Sequence, residues 1–203
     1  SVTGVQTCAL PIFISNISMK SLKENFQKAH IVIIGSGIIG KFNALELSEL
    51  GFKVTIIDPT ELQNSSYAAL GLLMGNMYQK RRGRSWDLRK QSIELWPQWI
   101  TFLQKFNSKL NIEKPLIQLT TNDEKFKKLE EFIYENNDQN LRILERDSIV
   151  IKNINKAFQT KNIKGMISYK DGRINPFALL QTLDKYLKHK KINLSEGEII
   201  KIS

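Results

Sequence analysis

Ile31-Val32-Ile33-Ile34 is an unbroken run of β-branched residues, the pattern of a strand buried on both faces of a parallel sheet. It leads straight into Gly35-Ser36-Gly37-Ile38-Ile39-Gly40. From Lys41 to Leu50 the apolar positions Phe42, Leu45, Leu47 and Leu50 recur at roughly helical spacing, and Gly51 supplies a helix stop. Lys53-Val54-Thr55-Ile56-Ile57 then reads as a second strand, ending on Asp58. Strand, turn, helix and strand in this order predict a βαβ unit.

Beyond Asp58-Pro59 the pattern changes. Residues 64–73 (NSSYAALGLL) form a stretch of small residues, expected as a loop leading into a buried segment. Trp86, Leu88, Ile93, Trp96, Trp99, Ile100, Leu103 and Phe106 are largely helix-spaced and read as core, with a kink or break expected at Pro97. Leu116 to Leu119 is expected as a strand. Asn122 or Asp123 is expected to cap a helix whose inward residues are Phe126, Leu129, Phe132 and Ile133. Ser148 to Lys152 and Met166 to Tyr169 read as further strands, and Gly165, Gly172 and Gly197 as turns. Asn175-Pro176 has the residue types of an N-cap and first helical position, with Phe177, Leu180, Leu183 and Leu187 lining one face of the helix that follows.

The glycine turn carries the candidate chemistry. In G-x-G-x-x-G, Gly35 allows the sharp bend, Gly37 lets a pyrophosphate approach the backbone, and Gly40 lets helix and strand pack closely. Amides near Ile38 and Ile39 belong to a helix start, where unpaired N–H groups and the helix dipole favour a phosphate. Asp58, 18 residues past the third glycine, is placed to accept hydrogen bonds from a ribose diol. These residues together predict a dinucleotide site. A glycine-rich packing turn beside a surface aspartate is the plain alternative.

Composition narrows the remaining classes. The chain has 203 residues and no apolar run long enough to cross a membrane as a helix. A single cysteine, Cys8, excludes an internal disulfide framework and a thiolate metal cluster. The net charge of +10 invites a polyanionic partner, but 23 of the 30 cations are lysines scattered along an Ile- and Asn-rich chain. Such usage fits A/T-rich codons, and no nucleic-acid partner is expected. Lys80-Arg81-Arg82-Gly83-Arg84 is the one dense cluster and reads as a solvated loop. His30 and His189 have no partner at ligand spacing, and no nucleophile–base pair suggests hydrolysis. Residues 1–18 carry no charge and look like a translated adapter remnant, so a native start is expected near Met19. They lack the basic start of a secretory signal, and a cytoplasmic protein is expected.

IVIIGSGIIG at 31–40, VTIIDP at 54–59, SSYAALGLL at 65–73 and DGRINPFALLQTL at 171–183 resemble the FAD-dependent amine and amino-acid oxidoreductases, the group of D-amino-acid oxidase, glycine oxidase and sarcosine oxidase. The resemblance spans residues 30 to 203. It implies an α/β chain: a Rossmann-like FAD-binding domain (30–80 and 171–203) with an inserted, partial α+β substrate domain (81–170). It implies FAD as cofactor, with Gly35, Gly37, Gly40 and the backbone of Ile38 and Ile39 at the pyrophosphate. Asp58 would hold the adenosine ribose with Pro59 beside it, and Ser65 and Ser66 would meet the phosphates. Leu70, Gly71 and Leu72 would pass near the flavin, and Ile199, in a strand over 198–202, would touch adenine. Lys41 and Asn43 depart from the small or apolar residues usual after the third glycine.

The activity implied is oxidation of the C–N bond of a small amine or amino acid by hydride transfer to flavin. Family members are longer, so the substrate-binding residues are expected past Ser203 and no catalytic residue is assigned. Two other readings stay open on the residues: a nicotinamide-linked Rossmann enzyme and a non-enzymatic basic binding module. Bound flavin absorbs in the visible and NAD does not, whereas a binding module would show salt-dependent DNA association.

Overall fold

The computed structural model describes residues 30–59, 65–158 and 162–197. Its elements in chain order are β1 (His30–Ile34), α1 (Ile38–Glu49), β2 (Lys53–Asp58), α2 (Ser65–Ala68), β3 (Leu72–Leu73), α3 (Arg84–Leu103) and β4 (Leu116–Thr120). They continue with α4 (Asp123–Asn136), β5 (Leu141–Leu144), α5 (Ile149–Phe158), β6 (Lys164–Ser168), β7 (Gly172–Arg173), α6 (Pro176–His189) and β8 (Asn193–Glu196). The described residues fall into two compact units. One holds those up to Gly71, Glu94–Asn111 and those from Ile174; the other holds Leu72–Ile93 and Ile112–Arg173.

The first unit is built on a parallel sheet in the order β1-β2-β8, with Ile31 beside Val54, Ile33 beside Ile56, and Ile56 beside Leu194. Parallel neighbours require crossovers, and α1 makes the first. Phe42, Ala44 and Leu45 of α1, Val54 and Ile56 of β2, and Leu179, Leu180, Leu183 and Leu187 of α6 are buried together with Trp96, Ile100 and Leu103. Phe42 meets Trp96 and Trp99 edge-on, at centroid distances of 5.9 and 5.1 Å. At the far end of α1, the Tyr186 hydroxyl donates to Glu49 at 2.6 Å and lies 3.1 Å from the Ser48 hydroxyl, while Lys190 pairs with Glu49 at 2.8 Å. Burial and the bond to Glu49 push the Tyr186 phenol well above its ordinary range.

The second unit is an antiparallel sheet, β4-β6-β5. Met77, Leu129, Phe132, Leu141 and Met166 form one core, drawing on α4, and Leu144, Ile151, Ile163 and Ile167 form another, drawing on α5. Asn122 caps α4, accepting from the Lys125 amide at 2.8 Å. The buried Asp171 carboxylate accepts from the amides of Gly75, Asn76 and Met77 at 2.8, 2.9 and 2.7 Å, fixing that turn against the start of β7.

Several expectations are corrected. Ser148 to Lys152 is not a strand: Ser148 precedes α5 and its hydroxyl accepts from the Ile151 amide at 3.3 Å. Val150, Ile151 and Ile154 sit on one helical face, which outweighs the β-branched run. Gly165 and Gly172 lie inside strands β6 and β7, where backbone on the neighbouring segment passes too close for a side chain. α3 continues through Pro97 without a break. Phe177 is 52% exposed, while Leu179 and Tyr186 take buried places on α6. β1 is not buried on both faces: Val32 and Ile34, which share one face, are 49% and 58% exposed, and the strand is also the outer one of its sheet among the described residues. Arg81 of the basic cluster is not simply solvated. Its guanidinium lies over Trp86 and Phe132 and donates to Asn136 and to the carbonyl of Asn76. Lys80, Arg82 and Arg84 are exposed as expected.

Candidate functional site

The glycine turn forms as its sequence dictates. Gly35 ends β1 at φ +96°, a left-handed conformation costly for any residue with a Cβ, and its amide donates to the Ile57 carbonyl of β2 at 2.8 Å. That bond ties the turn to the strand ending in Asp58. Gly40 lies in the first turn of α1, where a Cβ would stand 2.0 Å from the Gly35 carbonyl oxygen. The helix can approach the strand only because that atom is missing. The first-turn amides of α1 have no carbonyl within the helix to bond, and Gly37, in the N-cap position, offers no side chain to serve them.

Two side chains reach the turn. The buried Asp58 carboxylate accepts from the Ser36 amide at 2.5 Å. The Ser66 hydroxyl, from α2, accepts from the Ile38 amide at 2.9 Å, and it stands 3.0 Å from where a Cβ on Gly37 would be. Gly35, Gly37, Ile38, Gly40, Asp58 and Ser66 are therefore assembled at one place. Pro59 is exposed directly after Asp58, Ser65 is exposed at the start of α2, and Ile39 is exposed on the first turn of α1. Leu70 is exposed, and Gly71 is fixed elsewhere, its carbonyl accepting from the Ile174 amide at 2.9 Å. Leu72 lies in β3 opposite Arg173. Ile199 lies outside the described residues.

Three residues at this site were not singled out by the motif. Ser36 matters through its backbone, which no sequence pattern encodes. Lys41 is buried beside the turn, and its ammonium lies 2.5 Å from the Asp184 carboxylate of α6. Its partner had a signal, since Asp184 is the single acid in the sequence of α6. Asn43, the other polar departure, is simply exposed. Tyr67 packs on Phe177, and burial, with Asp184 and Asp58 adding to it, pushes its phenol up.

An anion suits this arrangement. Beside Gly35, no atom of the other described residues, its two chain neighbours apart, comes within 4 Å of a Cβ built there, and the helix start presents N–H groups and the positive end of its dipole. Among the described residues no cluster of His, Cys, Asp and Glu could hold a metal ion.

The profile of the FAD dependent oxidoreductase family, DAO, matches residues 30–203. The chain belongs to this family. Its cofactor is FAD, which decides between the flavin and nicotinamide readings of the turn. No curated protein matches. Among solved structures, the chain resembles glycine oxidase from Bacillus cereus ATCC 14579 at 21% identity and TM-score 0.68, over 85% of this chain and 48% of that one. It resembles iminodiacetate oxidase from Chelativorans sp. BNC1 at 17% identity and TM-score 0.69, covering 84% and 47% of the two chains. L-proline dehydrogenase from P. horikoshii aligns at 21% identity and TM-score 0.59, covering 83% and 44%. These likenesses establish a shared fold. The FAD-dependent oxidoreductase chain described here spans about half the length of those structures. No helix among its described residues is long and apolar enough to cross a membrane.

Proposed function

We propose that this chain forms the adenine-dinucleotide-holding part of an enzyme that oxidises the C–N bond of a small amine or amino acid. The observation that carries the reading is the joining of the β1–α1 turn to Asp58 through the Ser36 amide, within a chain of an FAD-dependent family. Gly35 makes the bend, Gly40 lets α1 close on the strand, and the backbone from Gly37 through the Ile38 and Ile39 amides faces the diphosphate. The Ser66 hydroxyl, now on the Ile38 amide, serves the phosphates, with Ser65 at the entrance of α2. Asp58 takes the ribose with Pro59 beside it, Leu70, Gly71 and Leu72 run along the flavin side, and Ile199 lies at adenine. Bound FAD supplies acceptance of a hydride from the carbon next to nitrogen, after which the imine hydrolyses in water. The protein orients that carbon and excludes competing reactions.

The substrate class is supported by the structural relatives, named for glycine, iminodiacetate and L-proline, which all carry an amine one carbon from a carboxylate. In place of the expected split at 30–80 with 171–203 and 81–170, the cofactor part is taken as the unit of the parallel sheet, with Glu94–Asn111 in it, and Leu72–Ile93 with Ile112–Arg173 as contributing to a substrate domain. No substrate-contacting group is assigned among the described residues. The test is made on the full-length protein: it is expected to purify with a visible flavin band that small amines or amino acids bleach without oxygen. Release of a nicotinamide nucleotide instead of FAD, or a flavin that no amine or amino acid bleaches, would overturn the reading.

A further inference from the structure

Lys41 is 3% exposed, yet it sits in the first turn of α1, where a cation works against the helix dipole. Its amide bonds the Gly37 carbonyl at 3.0 Å, so it is anchored one turn behind the middle glycine. Helical side chains lean toward the N-terminus, which carries the lysine stem in the direction of the glycine turn. Its ammonium contacts Asp184, whose side chain is 40% exposed. Burying an ammonium is costly, and two apolar residues would join α1 to α6 at lower cost. Packing alone does not account for this residue.

The charges around the turn do. Asp58 is buried against the Ser36 amide, and Asp184 stands on α6, the helix that meets Lys41 and also carries Phe177 against Tyr67, the neighbour of Ser66. A diphosphate brought to the turn therefore meets two carboxylates, and Lys41 is the buried cation in contact with one of them. We propose that Lys41 is a cofactor-positioning residue whose ammonium offsets Asp58 and Asp184, letting the diphosphate settle on the turn from Gly35 to Gly40. This inference rests on the FAD reading and adds to it a charge balance outside the glycine motif.

The experiment uses full-length protein stripped of flavin, titrated calorimetrically with ADP and with adenosine. Lys41→Met is expected to weaken ADP roughly fivefold, and Asp184→Asn, which frees the ammonium from its counterion, to tighten it by a similar factor. Adenosine, which lacks phosphate, is expected to bind both variants as it binds the wild type. The ADP differences are expected to shrink as salt is raised. A pair with only a structural role gives the opposite pattern: each variant bares one partner, and both weaken ADP and adenosine together. That result overturns the proposal. Asp184→Asn alters a partly exposed group, so its sign decides the matter even if Lys41→Met does not fold. If the wild type retains neither flavin nor ADP, the cofactor reading falls as well.

Discussion

Gly40 and Glu49 lie at opposite ends of α1, and each makes a different kind of prediction. A methyl group at Gly40 would stand 2.0 Å from the Gly35 carbonyl oxygen, a backbone atom that cannot turn aside. Gly40→Ala is expected to cost about 2–3 kcal/mol of stability and to release FAD from the full-length protein, read by thermal unfolding and flavin fluorescence. At the other end, the Glu49 carboxyl is held below its ordinary value by Lys190 first and by the Tyr186 hydroxyl second, against a smaller effect of burial. Its folded pKa is depressed, so its contribution is present above the unfolded value and lost as pH falls through the folded one. Lys190→Met is expected to cost about 0.5 kcal/mol at neutral pH, since the pair is exposed. The gap between variant and wild type is expected to close below pH 4.5. A gap constant through acid pH would refute the assignment.

Among elements, β1, α1 and β2 were legible because each signal was local: a β-branched run, a glycine turn, a helical repeat and a stop at Gly51. Asn122 and Asn175 were legible as caps for the same reason, both accepting from an amide three residues on. What escaped depended on partners distant in sequence. Gly165 looks like a turn until the Gln118 carbonyl is placed beside it, and Ser148 to Lys152 looks like a strand until its apolar face is packed against β6. Lys41 was an unexplained polar departure after the third glycine until Asp184, 143 residues away, supplied its counter-charge. Asp171 is the strongest such case: an acid within a glycine-containing turn sequence proves to be a buried carboxylate serving three amides. Asp171→Ala leaves those donors without an acceptor and is expected to cost about 3–5 kcal/mol, measured by chemical denaturation. Asp171→Asn, which keeps an oxygen acceptor, is expected to cost less. Equal losses in the two variants would mean that the amides are satisfied by something other than the carboxylate.

On the scale of the whole molecule, β1 is the element at odds with its sequence. A run of Ile and Val suited to burial forms the outer strand of the described sheet, with Val32 and Ile34 about half exposed and one backbone edge without a paired strand among the described residues. Exposed apolar edge strands drive association of chains. Solved relatives are about twice as long as this chain, which gives them further structure with which to cover such an edge. Opposite outcomes are therefore expected for one substitution in two settings. Val32→Lys places a charge on the open edge of the chain as it stands and is expected to reduce its self-association, measured by sedimentation velocity. Where further chain covers that edge, the same lysine is buried without a partner, which costs about 3 kcal/mol or more and lowers flavin retention. Tolerance of Val32→Lys in the full-length protein would show that β1 remains an open edge there, and that its apolar character serves contact with another molecule.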